Sequence, residues 1–263
     1  MNHTHLTGLI AAPFTAFLAD GSLNLNMIEK QVESLVTNRV AGAFICGTTG
    51  EGLSLTTSER QQIAERWQVT AGKNLRLIVH VGHAGLEDCK ILAAHAQKIK
   101  APAIGCFAPI FFKPGNVEAL VKYCAEVASA APETPFYYYH MPGMTGVNIP
   151  VLDFLKTAKD RIPTLVGVKF TYENLMDYQQ CLDFENGRFD MVFGRDEVLL
   201  AALATGARAA IGSTYNFAAP IYHRLIAAFA KNDLVAARES FFAVFQRQHG
   251  GGKTHQRRCP HRP

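Results

Sequence analysis

Leu165-Val166-Gly167-Val168-Lys169-Phe170-Thr171 is an apolar run that ends on a lysine, and it reads as a buried β-strand. Strand side chains alternate between faces, so Leu165, Gly167 and Lys169 share one face, and Val166, Val168 and Phe170 the other. Seven more apolar, β-rich runs occur along the chain, at residues 8–12, 43–46, 75–81, 103–108, 135–139, 190–194 and 208–213. Their starts lie ~20–35 residues apart, the length of one βα unit. Helical spacing fills the gaps. Ile28, Val32, Leu35 and Val36 fall on one helix face, as do Val117, Leu120, Val121, Cys124, Val127 and Ala128. Thr56 and Glu59 have the spacing of a capping box, which predicts a helix over Thr57–Ala71. Eight alternating units predict an α/β fold, a (β/α)8 TIM barrel spanning residues 1–247. An open doubly wound sheet is the runner-up. It is disfavoured because the first run is followed by Ala11-Ala12-Pro13-Phe14-Thr15 rather than a glycine-rich phosphate turn.

Composition narrows the function classes. The chain has 263 residues, 48% of them hydrophobic, enough for one large core. No apolar run reaches membrane-spanning length, and Met1-Asn2-His3-Thr4-His5-Leu6 lacks the parts of a signal peptide, so a cytoplasmic protein is expected. Six scattered cysteines without a Cys-x-x-Cys pair read as small buried hydrophobes in a reducing compartment. The net charge of +4 is matched by Lys253, Arg257, Arg258 and Arg262 in the last fifteen residues, which contain no acid. The body is therefore neutral, and neither a nucleic-acid nor a membrane partner is expected.

In a barrel of this kind, chemistry gathers at the C-terminal ends of the strands. Lys169 sits at one such end and Tyr139, in Pro135-Phe136-Tyr137-Tyr138-Tyr139-His140, at another. An ammonium is costly to desolvate, and a buried amine beside a phenol suits attack on a ketone followed by proton transfer. The competing reading is a lysine that snorkels to the solvent end of its strand. Gly167, on the lysine's own face, would leave room for the long side chain to bend over the mouth. The turn Gly47-Thr48-Thr49-Gly50-Glu51 follows the second run. It can present backbone N–H groups and two hydroxyls to a carboxylate or phosphate, although such clusters also mark ordinary turns.

Taken in order, Gly47-Thr48-Thr49-Gly50-Glu51, Tyr137-Tyr138-Tyr139-His140-Met141-Pro142, Gly167-Val168-Lys169-Phe170-Thr171, Gly194-Arg195-Asp196-Glu197 and Gly212-Ser213-Thr214-Tyr215-Asn216 resemble the motifs of the N-acetylneuraminate lyases. These are class I aldolases of the dihydrodipicolinate synthase superfamily, and the resemblance covers residues 6–247. It implies cleavage of sialic acid to N-acetylmannosamine and pyruvate without a cofactor or metal, in a homotetramer. It also implies residue roles. Lys169 matches the Schiff-base lysine, Tyr139 the catalytic tyrosine, and Thr48 and Thr49 the pair that holds the pyruvate carboxylate. Thr171, Gly194, Asp196, Glu197 and Ser213 match positions that line the sugar-chain pocket. Carboxylates such as Asp196 and Glu197 suit a polyol, although both could equally be helix-start carboxylates. The synthases resembling this family carry an arginine for a second carboxylate where this chain has Met144, and a thioether cannot replace it. A neutral polyol aldehyde fits better, with other pyruvate aldolases as the alternative.

Elsewhere the signals are weaker. His80 and His83 read as hydrogen-bonded structural histidines rather than metal ligands. Phe241, Phe242 and Phe245 read as the buried face of a helix. Phe111 and Phe112 stand where synthase-like relatives place a tyrosine that enters a neighbouring subunit, and a phenyl carries no acid there. Beyond Arg247 the resemblance ends. Residues 248–263, with His249, His255, Cys259 and His261, form a basic Gly/Arg/Pro-rich tail expected to be disordered, in place of most of the family's C-terminal helices. Two functions are therefore carried forward: an active lyase, and an inactive or unstable lyase-like barrel with a binding role.

Overall fold

A computed structural model describes residues 4–250, and the side chains of residues 4–242. Two compact units make up the chain, one ending at Ala219 and the other beginning at Pro220. Strands and helices alternate as β1 (Gly8–Ala11), α1 (Met27–Thr37), β2 (Gly42–Ile45), α2 (Thr57–Ala71), β3 (Arg76–His80), α3 (Leu86–Lys98), β4 (Ala103–Phe107) and α4 (Val117–Ser129). They continue as β5 (Phe136–His140), α5 (Pro142–Thr145), α6 (Val151–Ala158), β6 (Leu165–Phe170), α7 (Leu175–Asp183), β7 (Asp190–Phe193), α8 (Leu199–Ala204) and β8 (Ala209–Gly212). The last helices are α9 (Tyr215–Ala230), in which the division between units falls, and α10 (Leu234–Gly250).

The eight strands pair in sequence order, all parallel, and β8 closes on β1 with Gly8 opposite Ala209 and Ala11 opposite Gly212. This is the predicted (β/α)8 barrel, with the strand runs read from sequence correct to within a residue or two at each end. Alternate side chains fill the interior. Ile10, Phe44, Ile78, Phe107, Tyr137, Tyr139, Val192 and Ile211 belong to one buried cluster. The opposite parity packs outward under helices: the Tyr138 ring lies 4.3 Å from that of Phe154 on α6, and the Phe170 ring 5.2 Å from that of Tyr178 on α7. Between β5 and β6 the register places Tyr137 opposite Gly167 and Tyr139 opposite Lys169.

Local chemistry sets the helix starts. Both halves of the capping box form at α2, where Thr56 accepts from the Glu59 amide and the Glu59 carboxylate accepts from the Thr56 amide. Asn116 and Asn174 cap α4 and α7 in the simpler manner. At α6 the capping position is Pro150, which has no side-chain acceptor. Buried Asp177 of α7 serves instead, accepting from the amides of Val151 and Leu152.

Some expectations change. Gly167 is required for a reason other than room for the lysine. A Cβ there would collide with the carbonyl oxygen of Asp190, so glycine lets β7 approach β6 closely. Val36, placed on the buried face of α1, is 42% exposed. Phe242 is also turned outward, at 63% exposure, so the phenylalanines of α10 do not form one buried face. The side chain of Phe245 lies outside the described residues, as does the tail beyond Gly250. Among the described residues no helix is long and apolar enough to cross a membrane.

Candidate active site

Lys169 ends buried, at 5% exposure, inside the barrel rather than snorkelling to solvent. Its register partner on β5 is Tyr139, so the hydrogen-bonded ladder itself sets the two side chains next to each other. The Lys169 Nζ lies 3.8 Å from the centroid of the Tyr139 ring and 4.2 Å from that of Phe44. Two aromatic faces therefore meet one cationic nitrogen, each worth roughly 0.5–2 kcal/mol where water is excluded.

The Tyr139 hydroxyl faces the turn after β2. It lies 3.3 Å from Thr48 Oγ1 and donates to the Met141 thioether at 3.0 Å. Sulfur is a weak acceptor, so this proton is held loosely and is easily redirected to a better one. Around the turn, Cys46 and Glu51 adopt left-handed backbone at φ 55° each. Gly52 N–H donates to the Gly47 carbonyl at 3.1 Å, and Thr15 Oγ1 ties down the Gly50 carbonyl at 2.6 Å. A Cβ on Gly52 would run into the carbonyl oxygen of Cys46, so this position is closed to other residues. Thr48 is exposed and Thr49 half-buried on the same turn.

His80, at the end of β3, supports this arrangement from behind. Its Nδ1 bonds the Cys46 carbonyl at 2.9 Å, which fixes Nδ1 as the protonated nitrogen. The imidazole stands edge-on to the Tyr139 ring with centroids 5.7 Å apart. Arg60, itself buried, donates to the carbonyls of His80 and Gly82. Burial, and then the Arg60 charge, hold His80 well below the usual histidine range, so it is neutral here. His83 makes contacts of its own with Asp88 and the Gly85 amide. Both histidines therefore behave as the structural groups expected.

The remaining predicted residues line the ends of β6, β7 and β8. Thr171 follows β6 directly, and Gly194 follows β7. A Cβ on Gly194 would overlap Thr171 Oγ1, so the glycine makes room for that hydroxyl. Asp196 is buried and accepts from the Thr214 amide at 2.8 Å and from Thr214 Oγ1 at 2.6 Å. This ties the loop after β7 to the end of β8, beside Ser213. Ser213 is held in turn by Asn216, whose Nδ2 donates to the carbonyls of Ser213 and Ala12. Glu197 lies beside Arg195, with Oε2 3.8 Å from the Arg195 Nε. Burial, then the neighbouring Asp196 carboxylate, push Glu197 above the usual carboxylate range, and Arg195 opposes them.

Unsatisfied polar atoms mark the same place. Thr171 Oγ1, Arg195 Nε and Glu197 Oε2 are all buried without a hydrogen-bond partner, and all three sit just past the ends of β6 and β7. Buried polar atoms are rarely left unpaired, and these three stand beside the barrel mouth where the strand ends open. Phe44 and Arg60 went unread in the sequence, and Met141, Arg195 and Thr214 stood inside the quoted motifs without being given a role. The barrel's closure brings these residues to the site from separate βα units, and no local spacing announces them.

The sequence profile of the dihydrodipicolinate synthetase family matches residues 5–245. The N-acetylneuraminate lyase of Mus musculus is 44% identical over 243 residues, covering 91% of this chain and 76% of the mouse protein. N-acetylneuraminate lyase A of Xenopus laevis is 47% identical over 236 residues, covering 89% of this chain and 77% of the frog protein. Among solved structures, the N-acetylneuraminate lyase (sialic acid aldolase) of Aliivibrio salmonicida superposes with a TM-score of 0.92 at 44% identity. That match covers 94% of this chain and 82% of the bacterial one.

Proposed function

The chain belongs to the dihydrodipicolinate synthetase family, and on that premise we propose that it is a class I aldolase cleaving N-acetylneuraminate to N-acetylmannosamine and pyruvate. The observation that carries the reading is the Lys169 amine seated against the Tyr139 ring, with the Tyr139 hydroxyl beside Thr48.

The free-amine form of Lys169 adds to the C2 ketone of the open-chain sugar acid, and loss of water gives an iminium. The ring faces that cradle the ammonium can equally stabilise this cation. With the iminium as electron sink, removal of the C4 hydroxyl proton breaks the C3–C4 bond. The products are an enamine of pyruvate, still on Lys169, and free N-acetylmannosamine. Tyr139 relays the C4 hydroxyl proton, passing its own phenolic proton to the substrate carboxylate as it accepts that one. Protonation of the enamine at C3 and hydrolysis of the resulting iminium by water then release pyruvate and restore the Lys169 amine, while Thr48 and Thr49 grip the carboxylate. Thr171, Gly194, Asp196, Glu197 and Ser213 line the path of the polyol. Met144, 67% exposed, offers no partner to a second carboxylate, which argues against the synthase reaction. A cytoplasmic homotetramer is the setting the family resemblance suggests. Among the described residues, the five cysteines are free and buried, which suits a reducing compartment, and sedimentation would test the assembly.

The reading is tested by reducing the protein with borohydride in the presence of pyruvate. A covalent mass gain on Lys169 is expected, together with pyruvate release from N-acetylneuraminate. Lys169→Ala should lose adduct and turnover together. Turnover by that variant, or a folded parent chain that forms no adduct, would refute the assignment.

A further inference from the structure

We propose that Arg195 is a positioning residue for the polyol end of the substrate, holding the Glu197 carboxylate in place by tying the loop after β7 to the loop after β6. The inference deepens the aldolase reading and rests on it. Arg195 is forked between two carboxylates. Its Nη2 lies 2.6 Å from Glu173 Oε1, in the loop between β6 and α7, and its Nε points at Glu197 Oε2 across 3.8 Å. That second distance is too long for a hydrogen bond, and both atoms are buried without any other partner. With Oε2 turned inward toward the Arg195 cation while the Glu197 side chain as a whole is 42% exposed, the ion pair sets which way the carboxylate faces.

The arrangement also governs charge. The groups around Glu197 are Arg195 and Asp196 on its own loop, with Glu173 of the neighbouring loop already paired to Arg195. Asp196 is engaged with Thr214 and disfavours a second negative charge beside it. Arg195 is the cation that counters this. Without it, Glu197 holds its proton to higher pH and becomes a poorer acceptor for substrate hydroxyls. The pyruvate end, at Lys169, Tyr139 and Thr48, makes no contact with this pair in the structure. A merely structural ion pair between exposed loops would predict little effect on substrate affinity.

The test compares the parent chain with Arg195→Gln and Arg195→Lys, reading KM and kcat for N-acetylneuraminate from pH 5.5 to 8, alongside borohydride trapping of pyruvate. For Arg195→Gln we expect KM to rise about 10-fold, the scale of one charge-assisted hydrogen bond, with a smaller change in kcat. The rise should grow as pH falls, where the parent is flatter. Arg195→Lys should recover part of the loss, and both variants should still trap pyruvate on Lys169. A KM within twofold of the parent with a superimposable pH profile would overturn the proposal, as would a parallel loss of pyruvate trapping. If the parent traps pyruvate while Arg195→Gln changes nothing, the inference alone fails. If the parent traps none, the aldolase reading fails and takes the inference with it.

Discussion

At the scale of single residues, the site depends on groups held ready rather than fully engaged. The Tyr139 hydroxyl rests on a thioether 3.0 Å away, a partner it can leave at small cost. Tyr139→Phe keeps the ring beneath Lys169 and removes only the proton carrier. We expect kcat to fall about 10²- to 10⁴-fold with little change in KM, while borohydride still traps pyruvate on Lys169. Steady-state kinetics and mass spectrometry on one preparation would check this. Lys169 and Tyr139 were both legible in the sequence, because strand parity and strand ends are local properties. Phe44 and Met141 were not: one reaches the lysine from four strands away, across the barrel, and the other contributes only a sulfur lone pair. The family resemblance picked out Asp196, but its bond to Thr214 could not be read there, since the loop after β7 meets the end of β8 only once the two strands pair.

Among the elements, α2 illustrates a start written plainly in the chain, and α6 one that is hidden. Thr56 and Glu59 form the reciprocal cap their spacing predicts. Thr56→Ala should therefore cost about 1 kcal/mol, seen as a fall of about 2–4 °C in the melting midpoint with the activity of the folded enzyme unchanged. Helix α6 starts after Pro150 with no cap of its own, and Asp177 supplies one from the next helix. No reading of residues 148–153 alone could find it, because the acceptor lies 26 residues away. The exposure of Val36 and Phe242 makes the same point from the other side: periodicity tells which residues could share a face, and packing decides which of them are covered.

For the whole molecule, two buried histidines set a limit in acid. Burial holds His140 down to about 4, from 6.5, and it is 2% exposed between the Tyr138, Phe170 and Tyr172 rings. Between those two values the unfolded chain binds more protons than the folded one, so stability rises with pH across that window and is lost as pH falls through it. The loss from His140 alone is of order 3 kcal/mol, and His80, also held neutral, adds to it. His140→Phe should flatten the pH dependence of the urea midpoint between pH 6.5 and 4.5, and an unchanged slope would count against this origin of acid sensitivity. The β5–β6 pairing carries a different consequence. Because a single rung of the β5–β6 backbone ladder sets the amine and the phenol, their spacing is indifferent to the length or composition of the connecting segments above them. Evolution, or an engineer, can therefore rewrite which sugar is accepted by editing those segments while the bond-breaking step is inherited unchanged.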